Sequence, residues 1–253
     1  MRIIKNLKST FLKDYYSAET LSYIFGLRVF QIGVLFLASA PVIAFMLLII
    51  SSIISSFNRS DNYFKDKYNY PLIFVSLLMI SNCMIVSLNS NSYLYETSNI
   101  WIGLSNWIPF FWCFWAFQPY LKNSRLRVQI SKIFIIGSFP VLLSGFSQYF
   151  LKLYGPYSFF YDLIVWYQRP LEEYSGVTGL FNNQNYAGAW LCIVLPLCLV
   201  FLISGNKNKR IKFFLFLICF SFVYMIVLTS SRIAIISIFF SIFLFAKSIK
   251  NKL

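Results

Sequence analysis

The residues with chemistry to offer are few, and they gather in two places. The first is Gly176-Val177-Thr178-Gly179-Leu180-Phe181-Asn182-Asn183-Gln184-Asn185-Tyr186-Ala187-Gly188; the second, one apolar hairpin later, is Thr229-Ser230-Ser231-Arg232. The carboxamides Asn182, Asn183, Gln184 and Asn185 supply donors and acceptors without charge, and they stand where an apolar run begins. The first N–H groups of a helix lack intrahelical partners and carry partial positive charge, so amides beside such a terminus suit an anion or a sugar hydroxyl. Gly176 and Gly179 allow close backbone approach or positive φ. The same pattern also describes an ordinary helix start, with Asn185 as the cap and its neighbours facing water. From spacing alone both readings stay open.

Arg232 is the sharper case. A guanidinium between apolar runs is costly unless paired, and no carboxylate lies within a helical turn of it. A phosphate would satisfy it, because the planar fork binds two oxygens at once. The plainer alternative is an arginine in a wet outer turn that reaches lipid headgroups. Arg169, Glu172 and Glu173 form a third polar group, open to use as ion pairs, as acid and base, or merely as solvated loop charges. Arg28 and Gln31 read as packing or snorkelling residues within an apolar run. No histidine occurs, which removes the usual zinc or haem ligand and the usual acid–base catalyst. Cys83, Cys113, Cys192, Cys198 and Cys219 all lie inside apolar runs without a Cys-x-x-Cys pair, so they read as small buried hydrophobes and no metal site is expected.

The elements that position these residues are apolar. Hydrophobic residues make up 58% of the chain, aromatics 21% and charged residues only 12%, a composition that excludes an ordinary soluble domain. The apolar runs are roughly 17 to 25 residues long, enough to cross a hydrocarbon core about 30 Å thick as helices. The expected fold class is therefore all-α, a polytopic transmembrane helical bundle. The net charge of +14 comes from Lys and Arg in the short segments between runs, as retention of positive charge on the cytoplasmic side produces. No nucleic-acid motif accompanies it, and nucleic acid is not an expected partner.

Taken in order, residues 1–20 read as a cytoplasmic amphipathic segment on the inner membrane surface. The apolar stretch 21–57 would measure about 55 Å as one helix, so it is divided into two spans with a turn near Ser39-Ala40-Pro41. Ala38-Ser39-Ala40 resembles a signal cleavage site, but Pro41 and continuing apolar sequence argue against cleavage. Spans are expected near 22–39, 41–57, 71–88, 100–120, 133–150, 186–203, 213–228 and 233–246. The longest polar interval, 151–185, becomes an outer loop containing the aromatic segment Tyr157 to Tyr167, expected along the outer surface. Lys122, Arg125, Arg127 and Lys132 form a cytoplasmic loop. About eight spans with both ends cytoplasmic satisfy the charge rule, and they put the Gly176–Asn185 stretch and Arg232 on the outer side. No internal repeat or linker appears, so residues 21–253 read as one transmembrane domain.

Gly179 to Gly188 at the head of a span, followed after one hairpin by Leu228-Thr229-Ser230-Ser231-Arg232-Ile233-Ala234, resembles the O-antigen ligase and O-antigen polymerase-like superfamily. Phe30-Gln31-Ile32-Gly33-Val34-Leu35-Phe36-Leu37 with Pro41 is similar to its opening hairpin. Members commonly carry proline where Gln184 stands and glycine where Ile233 stands. The resemblance implies metal-independent, cofactor-free glycosyl transfer on the outer face of a bacterial inner membrane. The implied donor is a glycan on undecaprenyl pyrophosphate, and the implied acceptor a lipid or growing polysaccharide. By the same resemblance Arg232 would help hold the pyrophosphate, and Asn182 and Asn185 would shape the neighbouring pocket; Asn183, Gly179, Ser231 and Arg169 join them as candidate binding residues. Members continue into a large outer loop, with further arginines and a histidine held to be catalytic, and then into more spans. This sequence stops at Leu253 without a histidine, so a truncated or split member is expected, with a separately encoded C-terminal portion as partner. Two alternatives accompany this reading: a small-solute transporter, for which one branch of the superfamily is labelled a putative bicarbonate carrier, and an inactive remnant.

Overall fold

The computed structural model describes residues 21–59, 61–88, 97–172, 175–203 and 208–250. The expected amphipathic segment 1–20 and Glu173 lie outside the described residues. Helix α1 (Leu21–Phe36) is followed by α2 (Pro41–Phe57), α3 (Tyr70–Leu88), α4 (Thr97–Ala116) and the short α5 (Gln118–Leu121). Then come α6 (Ser124–Gly137), α7 (Phe139–Phe150), strands β1 (Tyr157–Phe159) and β2 (Ile164–Trp166), and finally α8 (Gln184–Ile203), α9 (Lys209–Leu228) and α10 (Arg232–Lys250). Among the described residues four helices are long and apolar enough to cross a membrane: Lys67–Leu88, Ser124–Phe150, Gln184–Ile203 and Lys209–Leu228. Their length and composition are those of a membrane protein. α3 makes the point most directly. Phe74, Leu77, Leu78, Met84 and Ile85 are exposed on it while Cys83 is buried, a helix apolar all round that water would not tolerate and lipid does.

The described residues fall into two compact units. One runs up to Phe30 and includes Leu47–Arg127. Its centre is Tyr120, fully buried, whose hydroxyl donates to the Ser51 carbonyl at 3.1 Å while Phe30 stacks on its ring. Arg59 lies over the Trp115 ring at 4.2 Å and donates to the Trp115 carbonyl at 2.6 Å and to Gln118 Oε1 at 3.3 Å. Burial pulls the Arg59 pKa down from its ordinary value, and Asp61 and Asp66 push it back up.

The second unit comprises Gln31–Met46 and the chain from Val128 onward. Its core joins Val141 and Leu142 of α7, Leu191, Val194 and Leu195 of α8, Phe222, Met225 and Ile226 of α9, and Ala234 and Ile238 of α10. Pro41 opens α2, where a missing N–H costs nothing, and the turn before it is tied to β2 by Trp166 Nε1 donating to the Ser39 carbonyl at 2.8 Å.

The described chain is mostly helical, and the aromatic segment adds one short antiparallel hairpin pairing Tyr157 with Trp166 and Phe159 with Ile164. Three consecutive turn residues, Phe160, Tyr161 and Asp162, take positive φ. The basic stretch expected as a loop is helical from Ser124, and Arg127 stabilises the junction by donating to the Leu121 and Lys122 carbonyls at 2.9 Å each.

Candidate functional site

The site is built around a carboxamide at the end of α7. Gln148 is fully buried, and a primary amide in that position must use its hydrogen-bonding groups. Its Oε1 accepts from the N–H of Thr178 at 3.1 Å and of Gly179 at 2.8 Å. Its Nε2 donates to the Arg169 carbonyl at 2.6 Å and to Thr178 Oγ1 at 3.2 Å. Thr178 Oγ1 also accepts from the Arg169 N–H at 3.2 Å. A second carboxamide, Gln168, donates through Nε2 to Ser147 Oγ at 2.9 Å and to the Ser144 carbonyl at 3.1 Å. Along the backbone, the N–H groups of Tyr167 and Gln168 donate to the carbonyls of Leu180 and Gly179. The two ends of the loop are thus fastened to each other and to α7, with every donor and acceptor of the Gln148 side chain in use.

That fastening leaves a cleft of about 530 Å³ at the start of α8. Arg169, Pro170, Glu172, Ser175 and Thr178 line it from the loop, and Asn182, Asn183, Gln184 and Asn185 line it from the helix start. Among the described residues its charged groups are the Arg169 guanidinium and the Glu172 carboxylate, set among neutral amides. It can therefore pair with phosphate oxygens at Arg169 and exchange hydrogen bonds with sugar hydroxyls at the amides and Glu172. Among the described residues no group of three His, Cys, Asp or Glu side chains comes together.

The helix start is capped by Asn183, not by Asn185. Asn183 Oδ1 accepts the Asn185 N–H at 2.7 Å, and the Asn183 carbonyl accepts the Ala187 N–H at 3.3 Å, so the helix starts at Gln184, earlier than the apolar run from Tyr186 suggests. Gln184 turns back to accept the Gly176 N–H on its Oε1. Gly176 has no alternative here, since a Cβ would collide with the Thr229 carbonyl oxygen. Gly179 takes φ +55, the left-handed region that glycine enters at low cost.

The turn after α9 packs against the same region. The Val177 N–H donates to the Leu228 carbonyl at 2.9 Å, and Thr229 Oγ1 donates to the Ile226 carbonyl at 2.7 Å while accepting the Ser231 N–H at 3.4 Å. A Cβ at Gly188, one turn into α8, would lie 3.0 Å from the Ser231 Cβ, so the turn and the helix touch through small residues. Of the residues singled out in the sequence, Arg169, Asn182, Asn183 and Asn185 come together in one wall. Gly179 lies beneath them, bonded to Gln148. Ser231 is buried against α8 as a packing residue. Arg232 is exposed at the first position of α10 and is not among the residues that line the cleft.

Sequence reasoning passed over Gln148 and Gln168. The available signal was a carboxamide near the end of an apolar helix, which must be bonded to something, although sequence does not say to what. No protein-family model, no curated protein and no solved structure matches the chain.

Proposed function

We propose that this chain is a polytopic inner-membrane protein of the O-antigen ligase/polymerase-like type, with about eight spans and both ends cytoplasmic, acting on an undecaprenyl-pyrophosphate-linked glycan at the outer face. One observation supports the reading above the rest: Arg169 and the Asn182–Asn185 amides form one walled cleft at the end of an apolar helix instead of dispersing into solvent. A lipid diphosphate carries its anion to the membrane boundary, where a guanidinium and neutral amide donors meet it. In this reading Arg169 grips the diphosphate, Asn182 and Asn185 hold the first sugar, and Glu172 accepts sugar hydroxyls. Arg232, outside the cleft wall, contacts headgroups next to the α9–α10 turn. The acceptor is a lipid or growing glycan. A small-solute transporter would carry its polar groups midway along broken helices. The cleft lies at a helix end, which favours the glycan.

The experiment is surface-glycan analysis of cells carrying Arg169→Ala together with any downstream partner. A charge-assisted bond is worth about 1.5–3 kcal/mol, so glycan output limited by donor binding falls about tenfold or more. Unchanged glycan removes the cleft from the reaction.

A further inference from the structure

The second unit holds a pocket of a different kind. About 440 Å³ in volume, it is walled by apolar residues of four helices, among them Ile135 of α6, Phe139 of α7, Phe201 of α8, and Leu215 and Ile218 of α9. Among the described residues Lys132 is the one charged residue in its wall, with Nζ 5.9 Å from the centroid of the Phe201 ring. Ile211, also in the wall, is flanked in sequence by Arg210 and Lys212, both exposed. Ile136 and Phe214, further wall residues, are themselves 56% and 61% exposed, on helices whose composition suits them to lipid. The pocket is therefore an apolar slot reached from a greasy surface, with Lys132 in its wall.

We propose that this pocket binds an anionic phospholipid of the bilayer, one acyl chain lying in the slot and the phosphate held by Lys132. The two halves of the site select that chemistry jointly. A soluble anion gains nothing from the apolar wall. A lipid without net charge presents a phosphate already balanced by its own headgroup cation and gains less from Lys132, and a basic peptide is repelled. Basic pockets between membrane helices take acidic headgroups for this reason. The inference concerns a pocket separate from the cleft at the start of α8, and it stands or falls independently of the glycan reading.

The test uses the full chain, purified in mixed micelles of equal phosphatidylglycerol and phosphatidylcholine, with bound lipid counted by native mass spectrometry. Phosphatidylglycerol should be retained in preference. Lys132→Gln should cut that retention about fivefold, the effect of one interfacial cation. Lys152→Gln, a cation beyond the other end of the same Ser124–Phe150 helix, should leave it unchanged. Both substitutions are at exposed side chains. Equal retention of the two lipids by the parent chain, or equal loss in the two variants, overturns the proposal, the second outcome meaning that only overall charge attracts lipid.

Discussion

Replacing Gln148 with leucine keeps the volume of the side chain nearly constant and removes all four of its hydrogen bonds. The Arg169 carbonyl is part-buried and can turn to water, and Thr178 Oγ1 still has the Arg169 N–H. The N–H groups of Thr178 and Gly179 are buried and lose their acceptor. Each unsatisfied buried group costs about 1–3 kcal/mol, so retaining the loop geometry costs about 2–6 kcal/mol. The chain can instead release residues 176–180, which exposes Val177 and Leu180 and forfeits about 1.5–3 kcal/mol for each. The cheaper route sets the outcome, and at the lower end of both ranges local stability should fall by about 2–4 kcal/mol. Amide hydrogen exchange in nanodiscs reads this directly: Thr178 and Gly179 should exchange about 30- to 1000-fold faster, at about 1.4 kcal/mol per decade. Exchange within a factor of about three of the parent chain would show that Gln148 does not fasten the loop.

Further substitutions test the neighbouring contacts. Asn183→Ala removes the cap of α8 and should cost about 1 kcal/mol in thermal unfolding, whereas Asn185→Ala should cost less; the reverse order would return the cap to Asn185. Gly176→Ala places a Cβ against the Thr229 carbonyl and should destabilise by about 1–3 kcal/mol, with the α9–α10 turn exchanging faster. In the other unit, Arg59→Lys loses the planar stack on Trp115 and part of the bonding to Gln118, for a loss of about 1–2 kcal/mol; an unchanged melting curve would show that the stack contributes nothing.

Much of this could be read from composition because apolar length alone decides which helices suit a membrane. The extents were less legible. Lys209 and Arg210 sit inside α9, against the preference of a helix N-terminus for acidic residues, and the signal for that start was the cap Asn208, whose side chain accepts the Arg210 N–H. Charge patterning argued for a loop at Lys122 to Lys132, yet Arg127 finds its partners in carbonyls of the preceding turn, and helix results. The hairpin had only a faint turn signature: Asp162 tolerates the left-handed region, but Phe160 and Tyr161 take positive φ without the glycine or asparagine that normally marks it. At the candidate site, the amide run announced itself by its polarity in apolar surroundings. Its partners did not, because Gln148 and Thr178 lie 30 residues apart and nothing local specifies their pairing. Arg232 illustrates the converse. Isolation in the sequence made it conspicuous, whereas Arg169, one charge among several in a polar interval, is the arginine that joins the amides.

Binding of a short polyprenyl diphosphate to the purified chain is the most direct measurement of the central claim. Farnesyl diphosphate should bind saturably and more tightly than farnesol, and Arg169→Ala should weaken it about 10- to 100-fold. Equal binding of the diphosphate and the alcohol, or no effect of Arg169→Ala, would contradict the account.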